Sequence, residues 1–174
     1  MGIDDDLDPA AGASPALVPA GTGRQLLTGP LGAELLAGAA ATGGAAAFVV
    51  HPLAPHALGS PVHTHTREDE WTYVLSGKVG LEVGGQVLLA GPGDLVLKPR
   101  GVPHAFWNPS DEPARLLEVI TPGGFESYFE ELGEILDAAE PDLGRVGELA
   151  ARHGMQLDPE SLPRLVAEHG LQLG

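Results

Sequence analysis

The residues of this chain with the most chemistry in them lie between positions 63 and 104. His63 and His65 flank Thr64, and side chains two apart on a β-strand point to the same face, so one strand can aim both imidazoles at a single point. Glu70 follows five residues later, enough chain to bring a carboxylate to the same place. His104 opens a later apolar run, Ala105-Phe106-Trp107. Three neutral imidazoles and one carboxylate suit Fe, Mn, Co, Ni, Cu or Zn in the divalent state. Four protein donors leave an octahedral ion two open positions, for water, substrate or O2. The remaining histidines, His51, His56, His153 and His169, share no such spacing and read as structural or surface residues. The absence of cysteine excludes disulfides, thiolate zinc sites and cysteine nucleophiles.

Positioning these side chains falls to a run of short elements. Between 46 and 120, apolar or alternating stretches are separated by Gly, Pro and Asx clusters: Phe48–Leu53, Trp71–Leu75, Lys78–Val83, Gln86–Leu89, Asp94–Leu97, His104–Asn108 and Arg115–Ile120. Many short strands at regular spacing predict an antiparallel barrel or sandwich. Gly84-Gly85 between two such runs is a two-residue hairpin signal. If Glu70 faces the interior, so do Thr72 and Val74, while Trp71 and Tyr73 face out; if His104 faces in, so does Phe106, while Trp107 faces away. Thr72, Val74 and Phe106 are thus the candidates to line a pocket. The three outward aromatics are expected to cover an outer sheet face or a dimer interface.

The flanks differ. Residues 1–23 are Asp, Ala, Gly and Pro with little to bury, and are expected to form a disordered or loosely draped arm. Residues 24–47 stay open between helix and strand: Ala33–Ala41 has helical propensity, but glycines divide the stretch into short pieces. After 120 the period becomes helical. Phe125, Tyr128, Phe129, Leu132, Ile135 and Leu136 fall on one face, and shorter helices are expected near 142–153 and 159–169.

The two halves of the candidate site also resemble the two sequence motifs of the cupin superfamily. The first reads His63-x-His65-x4-Glu70-x6-Gly77, and the second Gly93-x5-Pro99-x-Gly101-x2-His104-x3-Asn108. One position departs: the family places a glycine six residues before the first histidine, where this chain has Ala57. The chain resembles single-domain bacterial cupins of the Cupin_2, quercetin-dioxygenase-like type with a helical C-terminal extension. The resemblance implies a mostly β fold, a jelly-roll β-barrel over 24–122, with helices over 123–174. It implies one divalent transition metal held by His63, His65, Glu70 and His104, and likeness to the family implies a homodimer.

The same resemblance implies a metal-dependent enzyme acting on a small aromatic or enolisable molecule, foremost an O2-dependent dioxygenase. Glu70, if it can leave the metal, would be its catalytic base. A non-redox isomerase, decarboxylase or polyketide cyclase is the alternative, and a binding module without catalysis the second. The formal charge of −15 disfavours nucleic acid and anionic membranes as partners. The N-terminus shows neither the basic region nor the apolar run of a signal peptide, so the cytoplasm is the expected location.

Overall fold

The computed structural model describes residues 16–172 apart from 139 and 141; of the expected N-terminal arm, residues 1–15 lie outside the described residues. Ten strands precede the long helix: β1 (Arg24–Leu27), β2 (Ala33–Ala37), β3 (Ala47–Leu53), β4 (Val62–His65), β5 (Asp69–Ser76), β6 (Val79–Val83), β7 (Gln86–Ala90), β8 (Leu95–Lys98), β9 (His104–Trp107) and β10 (Ala114–Thr121). One helical turn, α1 (Ala39–Thr42), joins β2 to β3. Beyond β10 come α2 (Glu126–Leu136), α3 (Leu143–Arg152), β11 (Met155–Asp158) and α4 (Ser161–His169). The fold is mostly β, with the C-terminal helices as an extension. Among the described residues no helix is long and apolar enough to cross a membrane.

Two antiparallel sheets carry the core. One runs β1-β2-β3-β10-β5-β8 and the other β11-β4-β9-β6-β7. Turn chemistry sets much of this order. Gly84 and Gly85 both adopt positive φ (57° and 80°), the backbone that a tight two-residue hairpin between β6 and β7 requires. The alternation expected on β5 is present: Glu70, Thr72 and Val74 are buried, and Trp71 and Tyr73 are exposed. On β10, Leu116, Glu118 and Ile120 are buried likewise.

The open stretch 24–47 resolves mainly as strand. Pairing of β2 with both β1 and β3 outweighs the helical propensity of its alanines, leaving a single turn at Ala39–Thr42. Strand β9 is buried on both faces because α4 covers its outer side. There Trp107 packs with Leu165 and stacks on His169 at 4.1 Å between ring centroids.

The extension is more than helical. Met155–Asp158 forms β11, which pairs antiparallel with β4 so that Met155 lies opposite His65 and Leu157 opposite His63. Helix α2 lies against β1 and is fixed at its start by Glu126, whose carboxylate accepts from the Gly124 and Ala39 amides. At Gly133 it approaches closely: a Cβ there would sit 2.5 Å from the Leu26 carbonyl oxygen.

A sign reversal follows for two glycines. Gly to Ala inside a helix ordinarily stabilises by about 1 kcal/mol. Gly147→Ala on α3, where nothing lies within 4 Å of the added methyl, should raise the thermal midpoint. Gly133→Ala should lower it, because the methyl forces α2 off β1. Thermal unfolding of both variants checks this.

Candidate metal centre

The two sheets face each other, and each supplies part of one site. His63 and His65 come from β4 and His104 from β9, adjacent strands in which His63 lies opposite His104. Glu70 reaches in from β5 of the other sheet. All four side chains are buried, and one donor atom from each lies within 4.8 Å of the other three. Gly101 of the second motif donates its amide to the His65 carbonyl at 2.8 Å, which ties the β8–β9 connection to β4.

Hydrogen bonds on the far side of the rings set their orientation. His63 Nδ1 is 3.0 Å from the Pro61 carbonyl and His104 Nδ1 is 3.0 Å from that of Val102. Each carbonyl accepts only from a protonated Nδ1, so both Nε2 lone pairs are left for the site. His65 Nδ1 lies 3.4 Å from Glu68 Oε2, and these two buried atoms have no other partner among the described residues. A carboxylate behind a ligand imidazole is a recurring arrangement around bound metals. Burial holds His63 and His104 below the ordinary histidine pKa, so both are neutral donors near pH 7.

Glu70 is held from two directions. Its Oε2 accepts from Lys98 Nζ at 3.0 Å and lies 3.0 Å from His104 Nε2. Lys98 also contacts Glu118 Oε2 at 2.9 Å, and Thr72 donates to Glu118 at 3.0 Å. Strand register creates this row. Glu118 pairs with Thr72 across β10 and β5, and Glu70 with Lys98 across β5 and β8, all on the inner face. Burial pushes Glu70 up, but the Lys98 ammonium beside it holds it well below the usual carboxylate range. Burial likewise opposes the Lys98 charge, and Glu118 and Glu70 outweigh it. Burial pushes Glu118 up to about 7, with Lys98 opposing and Glu70 adding to the push.

This donor set fits a metal. Around the site three buried carboxylates, Glu68, Glu70 and Glu118, face one buried ammonium, Lys98. The excess of buried carboxylates over buried ammonium is what a divalent cation would offset. Buried, neutral Nε2 donors with a carboxylate suit a borderline transition ion.

A cavity of about 230 Å3 opens on the ligands. His63, His65 and Glu70 line one part of it, with His51, Ser60, Phe106 and Glu118 nearby. The extension supplies the rest: Phe125, Phe129 and Leu132 at α2, Val146 from α3, and Met155 and Leu157 from β11. The Phe125 ring meets the His65 ring edge-on at 4.5 Å. Of the three expected pocket residues, Phe106 lines this cavity. Thr72 and Val74 do not: Thr72 is fully buried against Glu118, and Val74 packs in the apolar core with Leu81 and Leu116.

Asn108 closes the second motif by bonding backbone, donating to the Ala54 and Glu112 carbonyls and accepting from Ser110. The sequence reading missed Glu68, Lys98, Glu118 and His51. For Glu68, a charged residue two positions before Glu70 was the available signal.

The family model for the cupin domain matches residues 49–120. The chain carries a cupin domain. Quercetin 2,3-dioxygenase of Bacillus subtilis is 30% identical to this chain over 123 residues, which are 71% of this chain and 36% of that protein. The chain therefore spans about a third of that relative's length. Among solved structures, KdgF from Halomonas sp. aligns at TM-score 0.56 and 16% identity, covering 66% of this chain and 99% of that one. A predicted oxalate decarboxylase from Thermotoga maritima aligns at 0.56 and 21%, covering 62% and 99%. At these identities the likeness is one of fold.

Two predictions arise from the cupin site. Lys98→Met leaves two buried carboxylates facing each other and should cost about 3–5 kcal/mol in urea unfolding. Adding Glu118→Gln should recover most of it. The second concerns acid. Burial lowers His51 from 6.5 to about 4, and lowers His63 and His104 too. The unfolded chain then takes up more protons below about 6.5, so stability present above that pH is lost as pH falls through 4. Glu118 acts the other way, since a raised folded pKa loses stability as pH rises from 4.5 to about 7. The thermal midpoint of metal-free protein should fall on acidification from pH 6.5 to 4, and His51→Gln should flatten part of that slope.

Proposed function

We propose that this chain is a metal-dependent enzyme acting on a small, mainly apolar molecule with an enol or phenol oxygen, and that the reaction is an O2-dependent dioxygenation. The observation that carries the reading is the lining of the cavity. Phenyl, aliphatic and thioether groups surround the ligand set, and neither Lys nor Arg lines it among the described residues. Substrates with phosphate or two carboxylates would find no cation there beyond the metal itself. An aromatic or enolic body packs on Phe106, Phe125 and Phe129 with its oxygen toward the histidines.

The 30% identity to a quercetin 2,3-dioxygenase supports the same chemistry. A bound divalent transition metal would lower the pKa of the substrate oxygen and bring it beside O2. The residues do the rest. His63, His65, Glu70 and His104 would hold the ion in place, and the α2 and β11 side chains exclude bulk water. Lys98 opposes departure of Glu70, since a base role for that carboxylate would break a buried ion pair. Both atoms of one O2 enter the product, so no external reductant is needed.

An O2 electrode tests this with protein reconstituted separately with Fe, Mn, Co, Ni and Cu, against flavonols and β-diketones. The expected result is one O2 consumed per substrate lost with at least one metal. Substrate loss under argon would instead give a non-redox isomerase, decarboxylase or cyclase.

We also propose that a second copy of the chain covers the outer face of β5 and β8. Trp71, Tyr73 and Leu75 lie there beside Leu95 and Leu97, exposed and paired across the strands, with β8 as an unpaired sheet edge. A C2 dimer would bury the stripe against itself. Light scattering should give a dimer mass, and Leu97→Glu a monomer.

A further inference from the structure

The cupin ligands use three of the buried imidazoles around the cavity, and a fourth has no assigned task. His51 sits on β3, opposite Leu116 of β10, and is 2% exposed. Its Nδ1 is 2.8 Å from the Gly32 carbonyl oxygen, which accepts from a protonated Nδ1 and so fixes the tautomer. The lone pair is then on Nε2, and among the described residues nothing hydrogen-bonds to that atom. The ring lines the same cavity as His63, His65 and Glu70, between Phe106 and Phe129 at 5.9 and 5.1 Å. Burial holds the imidazole neutral, with a pKa near 4. A neutral ring of this kind is a weak base but a good hydrogen-bond acceptor. Ser60 Oγ, also on the cavity wall, is a buried polar atom without a hydrogen-bond partner among the described residues.

We propose that His51 is a substrate-recognition residue whose Nε2 accepts a hydrogen bond from a hydroxyl next to the metal-directed oxygen. The ligand class is then a compact apolar molecule with two neighbouring oxygens, of catechol or α-hydroxyketone type, one of which remains a donor. An apolar pocket with an unmet acceptor rewards a ligand that brings a donor and penalises the isostere that lacks it. The size agrees, since 230 Å3 falls below the range of about 300–1,000 Å3 typical of drug-sized ligands. This inference rests on the proposed function and narrows its substrate class.

The test uses zinc-loaded protein and two probes, catechol and 2-methoxyphenol. They share one phenol and differ in whether the neighbouring oxygen can donate. Calorimetric titration should show wild type preferring catechol by roughly tenfold, the worth of one hydrogen bond. His51→Phe should abolish the preference with zinc content unchanged, and His51→Gln, which keeps an acceptor, should retain part of it. An undiminished preference in His51→Phe would overturn the role of His51 and leave the proposed function standing. Failure of wild type to bind either probe would overturn both. If the Phe variant does not fold, the imidazole 15N spectrum of wild type decides: catechol but not 2-methoxyphenol should shift the His51 Nε2 resonance, and no shift refutes the assignment.

Discussion

The site depends on one buried ion pair. Lys98 Nζ lies between the carboxylates of Glu70 and Glu118 at 3.0 and 2.9 Å, with no exposure to solvent. Without that ammonium, Glu70 and Glu118 would share the barrel interior with no cation between them, and one of the two would take up a proton. The pair also fixes geometry. With Oε2 held by Lys98, the carboxylate cannot swing toward Glu118, and it stays at the histidines of the opposing sheet. Desolvating three charges is expensive, and the arrangement persists because each has a partner within hydrogen-bond distance. The excess negative charge that remains gives a divalent cation a reason to enter.

What closes the site is built from a different part of the chain. A ten-strand barrel alone would leave the ligand histidines open on one side. The extension covers them twice: β11 adds to the edge of the sheet beside β4, and α2 lays its apolar face over the mouth. Strand pairing and helix packing therefore depend on each other. Arg152 and His153 at the end of α3 both contact Glu131 of α2, which ties the helical layer together just before β11 begins. This layer makes much of the cavity wall apolar, and an apolar wall strengthens each polar contact inside it.

Most of the barrel could be read in the sequence because its strands alternate and its turns carry glycine. Seven apolar runs between 48 and 120 became strands, and the inward register of Glu70, Thr72 and Val74 was correct. The clustering of His63, His65, Glu70 and His104 could be read because their spacing is specific. Three things could not. The Ala33–Ala41 segment has local helix propensity that pairing with β1 and β3 overrides. Met155–Asp158 is four residues long between two helices, and its alternation is too short to stand out. The third is Lys98, Glu118 and His51. Their roles come from cross-strand register and from contact with distant strands, which a single sequence does not display. Facing inward was also not enough to reach the cavity: Thr72 is taken up by Glu118 and Val74 by the apolar core.

The central claim is that the buried histidine and carboxylate group holds a metal. Metal analysis of protein purified without added metal, beside a His104→Ala variant of unchanged fold, tests it most directly. The account predicts close to one divalent transition ion per chain in wild type and a loss of most of it in the variant. Wild-type protein that carries no metal, and takes up none on reconstitution, would contradict it.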